Sequence, residues 1–146
     1  MPDQIPDEFK DLLERPIYPI ATTVMPDGQP QSTVVWADAE GDFVRINTVK
    51  GRQKERNLRR NPKITLVFVD PDNAYRWIEV RGEVESMTEE GGVDHIEALS
   101  RKYNKGQAYY GDFNTRTTRE QETRLVVNIR PTKVFAYWTR GRPAAK

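Results

Sequence analysis

The sequence has no cysteine and a single histidine, His95, in 146 residues. Without a thiol there is no disulfide framework, no thiolate ligand and no thiol nucleophile. The absence fits a reducing compartment. One imidazole leaves a zinc or copper site to carboxylates almost alone, and none of these cluster at ligand spacing. A Ser-His-Asp triad would have to use His95, which stands beside Asp94 and Glu97 on a predicted amphipathic helix and reads as part of its solvated face. No G-x-G-x-x-G run or Walker-type phosphate loop occurs. No stretch approaches the roughly 18 apolar residues of a membrane helix. Residues 1–16, MPDQIPDEFKDLLERP, lack the basic and apolar regions of a secretion signal. The expectation is a soluble, cytoplasmic protein with one domain over 1–146, long enough to bury a core without staples.

Charge is nearly balanced overall, at +1, but not along the chain. Lys50, Arg52, Lys54, Arg56, Arg59, Arg60 and Lys63 face one acid, Glu55, in a single segment. Seven cations against one carboxylate give that segment +6 and leave the remainder at −5. A local positive site on a balanced protein suits a small anionic ligand better than long nucleic acid.

Ile5, Phe9, Leu12 and Leu13 recur at helical spacing, with Asp7 placed to cap the first turn and Pro16 to end the helix. Ile17–Met25 reads as a strand, Pro26-Asp27-Gly28 as a turn, and Gln31–Ala37 as a second strand. Glu40-Gly41-Asp42 turns into a third strand, in which Phe43, Arg45 and Asn47 alternate with Val44, Ile46 and Thr48. A helix is predicted over Gln53–Asn61, stopped by Pro62. Lys63–Asp70 is a strand whose dense apolar run suggests burial on both faces. Tyr75–Met87 is a long strand with Gly82 inside it, marking a bulge or a close approach. Val93, Ile96, Leu99 and Tyr103 mark another helix. Residues 104–118 form a polar and aromatic loop, and Leu125–Trp138 is one bent strand or two short ones, interrupted at Pro131. Short hairpin connections imply a mainly β, antiparallel sheet of six strands, closed towards a barrel with helices at its ends.

The best candidate site is the run Val49-Lys50-Gly51-Arg52-Gln53-Lys54-Glu55-Arg56-Asn57. Gly51 lets the backbone bend close to a ligand. Arg52 offers a planar fork for phosphate oxygens and Lys54 a compact charge. Free N–H groups in the first turn of the following helix also favour an anion, and Thr48 can donate a hydroxyl. A solvated basic helix would look the same at this level. Trp36, Trp77, Trp138, Tyr75 and Tyr137 could wall a flat heteroaromatic ring, although each taken alone reads as packing.

These residues carry a resemblance. Ile20-Ala21-Thr22-Thr23, Asp27-Gly28-Gln29-Pro30, Ser32-Thr33-Val34-Val35-Trp36 and Ile46-Asn47-Thr48 follow one another in family order. The most specific run is Gly51-Arg52-Gln53-Lys54-Glu55-Arg56-Asn57-Leu58-Arg59-Arg60-Asn61-Pro62. Val80-Arg81-Gly82-Glu83-Val84 and Ile129-Arg130-Pro131-Thr132-Lys133-Val134 complete the pattern. Together they resemble the pyridoxamine-phosphate-oxidase-like, FMN-binding split-barrel superfamily, and within it the coenzyme F420-dependent flavin/deazaflavin oxidoreductases.

The resemblance implies a six-stranded split barrel working as a homodimer, with cofactor sites at the interface and a small conjugated molecule as substrate. It would place the cofactor phosphate on Thr48, Arg52 and Lys54, beside Gly51. Pro30, Ser32, Thr33 and Val34 would line the ring or ribityl region, and Asn57 would fix the basic turn. Trp77 would come from the second subunit. Lys50 and Arg56 would suit the polyglutamate tail of F420. The ring would transfer the hydride, with the protein orienting it. Binding of FMN or a tetrapyrrole by the same fold, and a non-catalytic carrier role, stay open. The chain departs from true pyridoxamine phosphate oxidases after Trp138, running to GRPAAK without their extended C-terminal substrate motif, which tells against vitamin B6 oxidation. Substrate specificity is expected in the loop from Asn104 to Thr118.

Overall fold

A computed structural model describes residues 2–139; the GRPAAK run lies outside them. Seven strands form one antiparallel sheet in the order β2-β1-β5-β6-β7-β4-β3. They are β1 Ile20–Val24, β2 Pro30–Val34, β3 Ala37–Glu40, β4 Phe43–Val49, β5 Lys63–Asp70, β6 Asn73–Thr88 and β7 Arg124–Trp138. Three helices, α1 Asp11–Glu14, α2 Gln53–Arg60 and α3 Gly92–Tyr103, accompany them. The mainly β, antiparallel split barrel is as expected, with seven strands rather than six. The additional strand is β3, a short acidic segment that pairs with β4 from Ala37↔Ile46 to Glu40↔Phe43. The predicted second strand ends at Val34, so Val35 and Trp36 link the two edge strands.

Alternation explains the core. On β4 the buried face is Val44, Ile46 and Thr48, and on β5 it is Ile64, Leu66, Phe68 and Asp70. Leu66, Phe68, Ile78, Val80, Val127 and Ile129 are fully enclosed. Each such side chain contributes about 1.5–3 kcal/mol by leaving water. The β5 run is not buried on both faces as its composition suggested. Its other face is only partly covered, and Val69 is 41% exposed.

The N-terminal helix is shorter than its spacing implied: a 3₁₀ turn over Asp7–Phe9, then a single α-turn. Asp7 lies inside the turn and does not cap it; Pro6 holds that position without a side-chain bond. Phe9, Leu12 and Leu13 still pack into the core.

β6 and β7 bend together. Their register shifts at Arg81/Gly82, where Gly82 stands opposite Pro131. A Cβ on Gly82 would lie 2.6 Å from Ile129 Cγ2 and 2.8 Å from the Arg130 carbonyl oxygen. The position therefore takes glycine, and β7 continues past Pro131 as one strand. Beyond Arg130, β7 pairs only with β6 among the described residues. Asp3 covers part of the outer edge there: its N–H donates to the Pro131 carbonyl at 2.9 Å, and its carboxylate accepts from the Val134 N–H at 2.7 Å.

Candidate functional site

The basic segment forms a sharp turn between β4 and α2. Gly51 adopts φ +96°, in the left-handed region that only glycine enters without strain. Its N–H donates to Glu55 Oε1 at 2.8 Å, so the helix's first acid reaches back and ties the turn. Glu55 is buried. Burial raises its pKa, but the Gly51 amide and Arg59 outweigh burial and hold it below the usual range. Asn57, fully buried, anchors the helix by donating to Thr23 Oγ1 at 3.0 Å and Gln31 Oε1 at 3.1 Å and accepting from Gln53 Nε2 at 2.8 Å. It fixes α2 to β1 and β2 and does not reach the cavity beside the turn.

That cavity, of about 200 Å³, is lined in part by Val34, Trp36, Asn47, Arg52, Lys54, Tyr109, Phe113 and Arg124. Lys54 is half-buried and has no ion-pair or hydrogen-bond partner among the described residues. Burial, reinforced by the neighbouring Arg52 charge, pushes its pKa down to about 8. Arg52 is exposed, and its Nη2 lies 3.8 Å from Glu122. Three aromatic rings meet at the cavity. Trp36 stands edge-on to Phe113 at 5.2 Å and to Tyr109 at 6.0 Å, and stacks on Tyr103 at 5.6 Å. Tyr103 is a pillar: its hydroxyl donates to the Ile17 carbonyl at 2.6 Å, and burial pushes its pKa up to about 12.

The other sequence-predicted residues fall in four places. Pro30, Ser32, Thr33 and Val34 share the edge strand β2; Ser32 Oγ lies 2.8 Å from Thr22 Oγ1, and Thr33 Oγ1 is buried with no partner. Thr48 follows Asn47 on β4, so it faces the barrel interior where Asn47 faces the cavity. Lys50 lies 3.9 Å from Glu89 and Arg56 folds back onto Gly51 and Gln53, both on the exposed outer side of the turn. Trp77 is remote from the cavity of its own chain and stacks with Tyr137 at 5.5 Å and Phe135 at 6.2 Å. Tyr75 is 65% exposed, and Phe135 and Tyr137 are also open, so this end of β6 and β7 is an uncovered aromatic face.

Sequence reasoning did not find Asn47, Tyr109, Phe113 or Arg124 as cavity residues. Tyr109 and Phe113 lie in the loop in which the sequence places specificity; nothing local signals Arg124. His95 is a correction. It is not solvated but 4% exposed, between Asp38 and Asn47. It lies one turn before Leu99 and so shares the buried stripe of α3.

A larger cavity of about 480 Å³ lies between α1 and β3, lined in part by Leu13, Asp38, Gly41 and Lys102. Its embedded charged groups already have hydrogen-bond partners. Asp38 accepts from Arg45 at 2.8 and 3.0 Å, and Lys102 donates to the Ala37 and Leu13 carbonyls. The smaller cavity is the one whose half-buried cation, Lys54, has neither an acid nor a hydrogen-bond partner among the described residues, so it is the better anion site despite its size. Among the described residues no helix is long and apolar enough to cross a membrane.

The sequence profile of the pyridoxamine 5'-phosphate oxidase family matches residues 5–138. Among solved structures, an F420 reductase is 34% identical, with 90% of this chain and 98% of that one covered and a TM-score of 0.77. A conserved hypothetical protein from Mycobacterium tuberculosis is 22% identical, with 93% and 86% covered and a TM-score of 0.71. HupZ of Group A Streptococcus is 20% identical, with 94% and 100% covered and a TM-score of 0.64. The last two share the fold. No curated protein matches.

Proposed function

This chain belongs to the pyridoxamine 5'-phosphate oxidase family, and on that premise we propose that it is an oxidoreductase using the deazaflavin coenzyme F420. The observation that carries the reading is Lys54: a cation drawn out of water, with no acid beside it, at the wall of a cavity it shares with Arg52. Burying an uncompensated charge is costly, and a phosphate oxygen would remove that cost. The residues present fit a phosphate-bearing group in this respect. Arg52 and Lys54 would hold the phosphate, with Val34 and Trp36 beside it. When bound, the deazaflavin ring supplies hydride chemistry; the protein positions it and keeps water from its face. The similarity to an F420 reductase favours F420 over FMN, and Lys50 and Arg56, outside the phosphate pocket, offer positive charge to an anionic tail.

A homodimer belongs to the same reading. A cavity of about 200 Å³ falls below the roughly 300–1,000 Å³ usual for organic ligands, so one chain does not enclose a tricyclic ring. The open face of Tyr75, Phe135 and Tyr137, with the half-buried Trp77 stacked among them, would complete it from the partner copy.

FMN is the second reading, because the Lys54–Arg52 pair recognises phosphate and both cofactors carry one. Fluorescence titration of the purified protein with F420 and with FMN separates them. Tighter binding of F420, weakened at least about tenfold in Lys54→Ala, is the expected result. Equal affinity in that variant would remove the phosphate assignment.

A further inference from the structure

Arg124 is the cavity cation that the fold holds most firmly. It is 5% exposed, with its guanidinium 4.7 Å from the Tyr109 ring centroid. Its Nη2 donates to the Tyr109 hydroxyl at 2.6 Å and lies 2.9 Å from Glu122; its Nε donates to Glu122 at 3.0 Å and to the Tyr110 hydroxyl at 3.3 Å. Nη1 donates to Asn47 Oδ1 at 3.3 Å. A guanidinium has five N–H groups, and the second N–H of Nη1 has no acceptor among the described residues.

Asn47 is oriented in its turn. Its Nδ2 donates to the Gly92 carbonyl at 2.9 Å. A carbonyl only accepts, so the amide nitrogen must face Gly92 and the amide oxygen Arg124. The same Nδ2 lies 3.2 Å from His95 Nδ1, which must therefore accept. The ring proton then sits on Nε2 and is donated to Asp38 Oδ1 at 3.1 Å. Arg45 holds Asp38 from the other side. Each link leaves the next only one polarity, from Arg45 through Asp38, His95 and Asn47 to Arg124.

We infer that His95, which does not touch the cavity, is a positioning residue: through Asn47 it fixes the Arg124 guanidinium so that its remaining N–H meets an acceptor oxygen of the bound ligand. This rests on the reading of the cavity as the binding site. Three strands and a helix supply the parts, so the arrangement is a product of the fold rather than of one segment.

Two substitutions separate positioning from mere packing. In His95→Asn the amide oxygen takes the place of Nδ1 and still accepts from Asn47. In His95→Gln the amide reaches the place of Nε2, and Asn47 Nδ2 keeps the Gly92 carbonyl as its one acceptor, losing the hold that the ring gave it. The readouts are the ¹⁵N side-chain resonance of Arg124 Nε in cofactor-free protein, assigned by its loss in Arg124→Lys, and fluorescence titration with F420 and FMN. His95→Asn is expected to keep the resonance and the affinity. His95→Gln is expected to shift the resonance and weaken binding about tenfold. Equal loss in both variants, or no change in either, overturns the inference. Should His95→Gln fail to fold, the ¹⁵N shifts of the wild-type imidazole decide: the Nε2–H tautomer is expected, and the Nδ1–H tautomer overturns the relay. If the wild type binds neither cofactor, the functional reading fails, while the resonances still judge the relay.

Discussion

Arg76 and Lys54 are both cations withdrawn from water, and the fold treats them in opposite ways. Arg76, 7% exposed, sits between Asp11 and Asp70, donating to the latter at 2.9 Å. It also donates to the Glu8 carbonyl at 2.6 Å and lies 5.2 Å from the Phe9 ring and 5.0 Å from the Trp138 ring. Hydrogen bonding to Asp11 raises its pKa, whereas burial depresses that of Lys54. A cation that clamps the structure comes with its own carboxylates. A cation the fold leaves bare has its compensating charge still to come, from outside the chain. The sequence already separates them: Lys54 lies in a run of cations with one acid, whereas Arg76 lies between Asp70 and Glu79.

The largest effect should come from breaking the clamp. Arg76→Leu leaves Asp70 buried without its partner and is expected to cost about 3–5 kcal/mol of stability, read as a lowered midpoint in chemical denaturation. A loss under about 1 kcal/mol would mean that the clamp is replaceable by apolar packing.

The bare cation should respond to pH instead. The Lys54 pKa falls from 10.5 in the unfolded chain to about 8 in the folded one, so its charge is a strain on the fold below about 8. Between those values the unfolded state binds more protons, and this residue's penalty is relieved as pH rises. Affinity for a phosphate-bearing cofactor should move the other way, falling roughly tenfold between about pH 7.5 and 9.5 as the ammonium is lost. Lys54→Arg should remove that fall, because a guanidinium stays charged. A pH-independent affinity in the wild type would count against Lys54 as the phosphate ligand. The clamp should be silent over that range. The pKa of Asp11 is lowered chiefly by its hydrogen bond to Arg76. Burial raises that of Asp70, but the Asp72 amide and Arg76 more than offset it. The stability these acids contribute is present above the ordinary value of 3.8 and lost only as pH falls through their lower folded values.

The smallest effect marks the edge of the clamp. Arg15 is half-buried and pairs with Asp72, itself exposed, at 3.0 Å. Arg15→Gln should change stability by less than about 1 kcal/mol in the same denaturation assay. A larger loss would extend the buried network outward to Arg15.

The strands were legible where alternation or a turn residue wrote them. β4 showed its two faces in Val44, Ile46 and Thr48, and Gly82 announced the place where the longest strand bends. β3 was not legible, because Ala-Asp-Ala-Glu has low strand propensity and exists through its pairing with β4. His95 was misread from its charged neighbours, Asp94 and Glu97. Its spacing to Leu99 carried the correct signal, and the buried bonds to Asp38 and Asn47 outweighed the cost of enclosing a polar ring. Arg52 and Lys54 stood out because a turn and a helix start bring them together locally. Tyr109, Phe113 and Arg124 reach the same cavity from far along the chain, and no local pattern records that meeting.

Asp3 has a further consequence. A half-strand with a bare outer edge is a template on which another extended chain can add, and β7 beyond Arg130 is such a half-strand. With its N–H on Pro131 and its carboxylate on the Val134 N–H, Asp3 takes up the first two ladder positions a visiting strand would need. It also sets a negative charge where that strand would start. One residue acts as a stopper, blunting the edge against runaway sheet growth without adding a strand of its own.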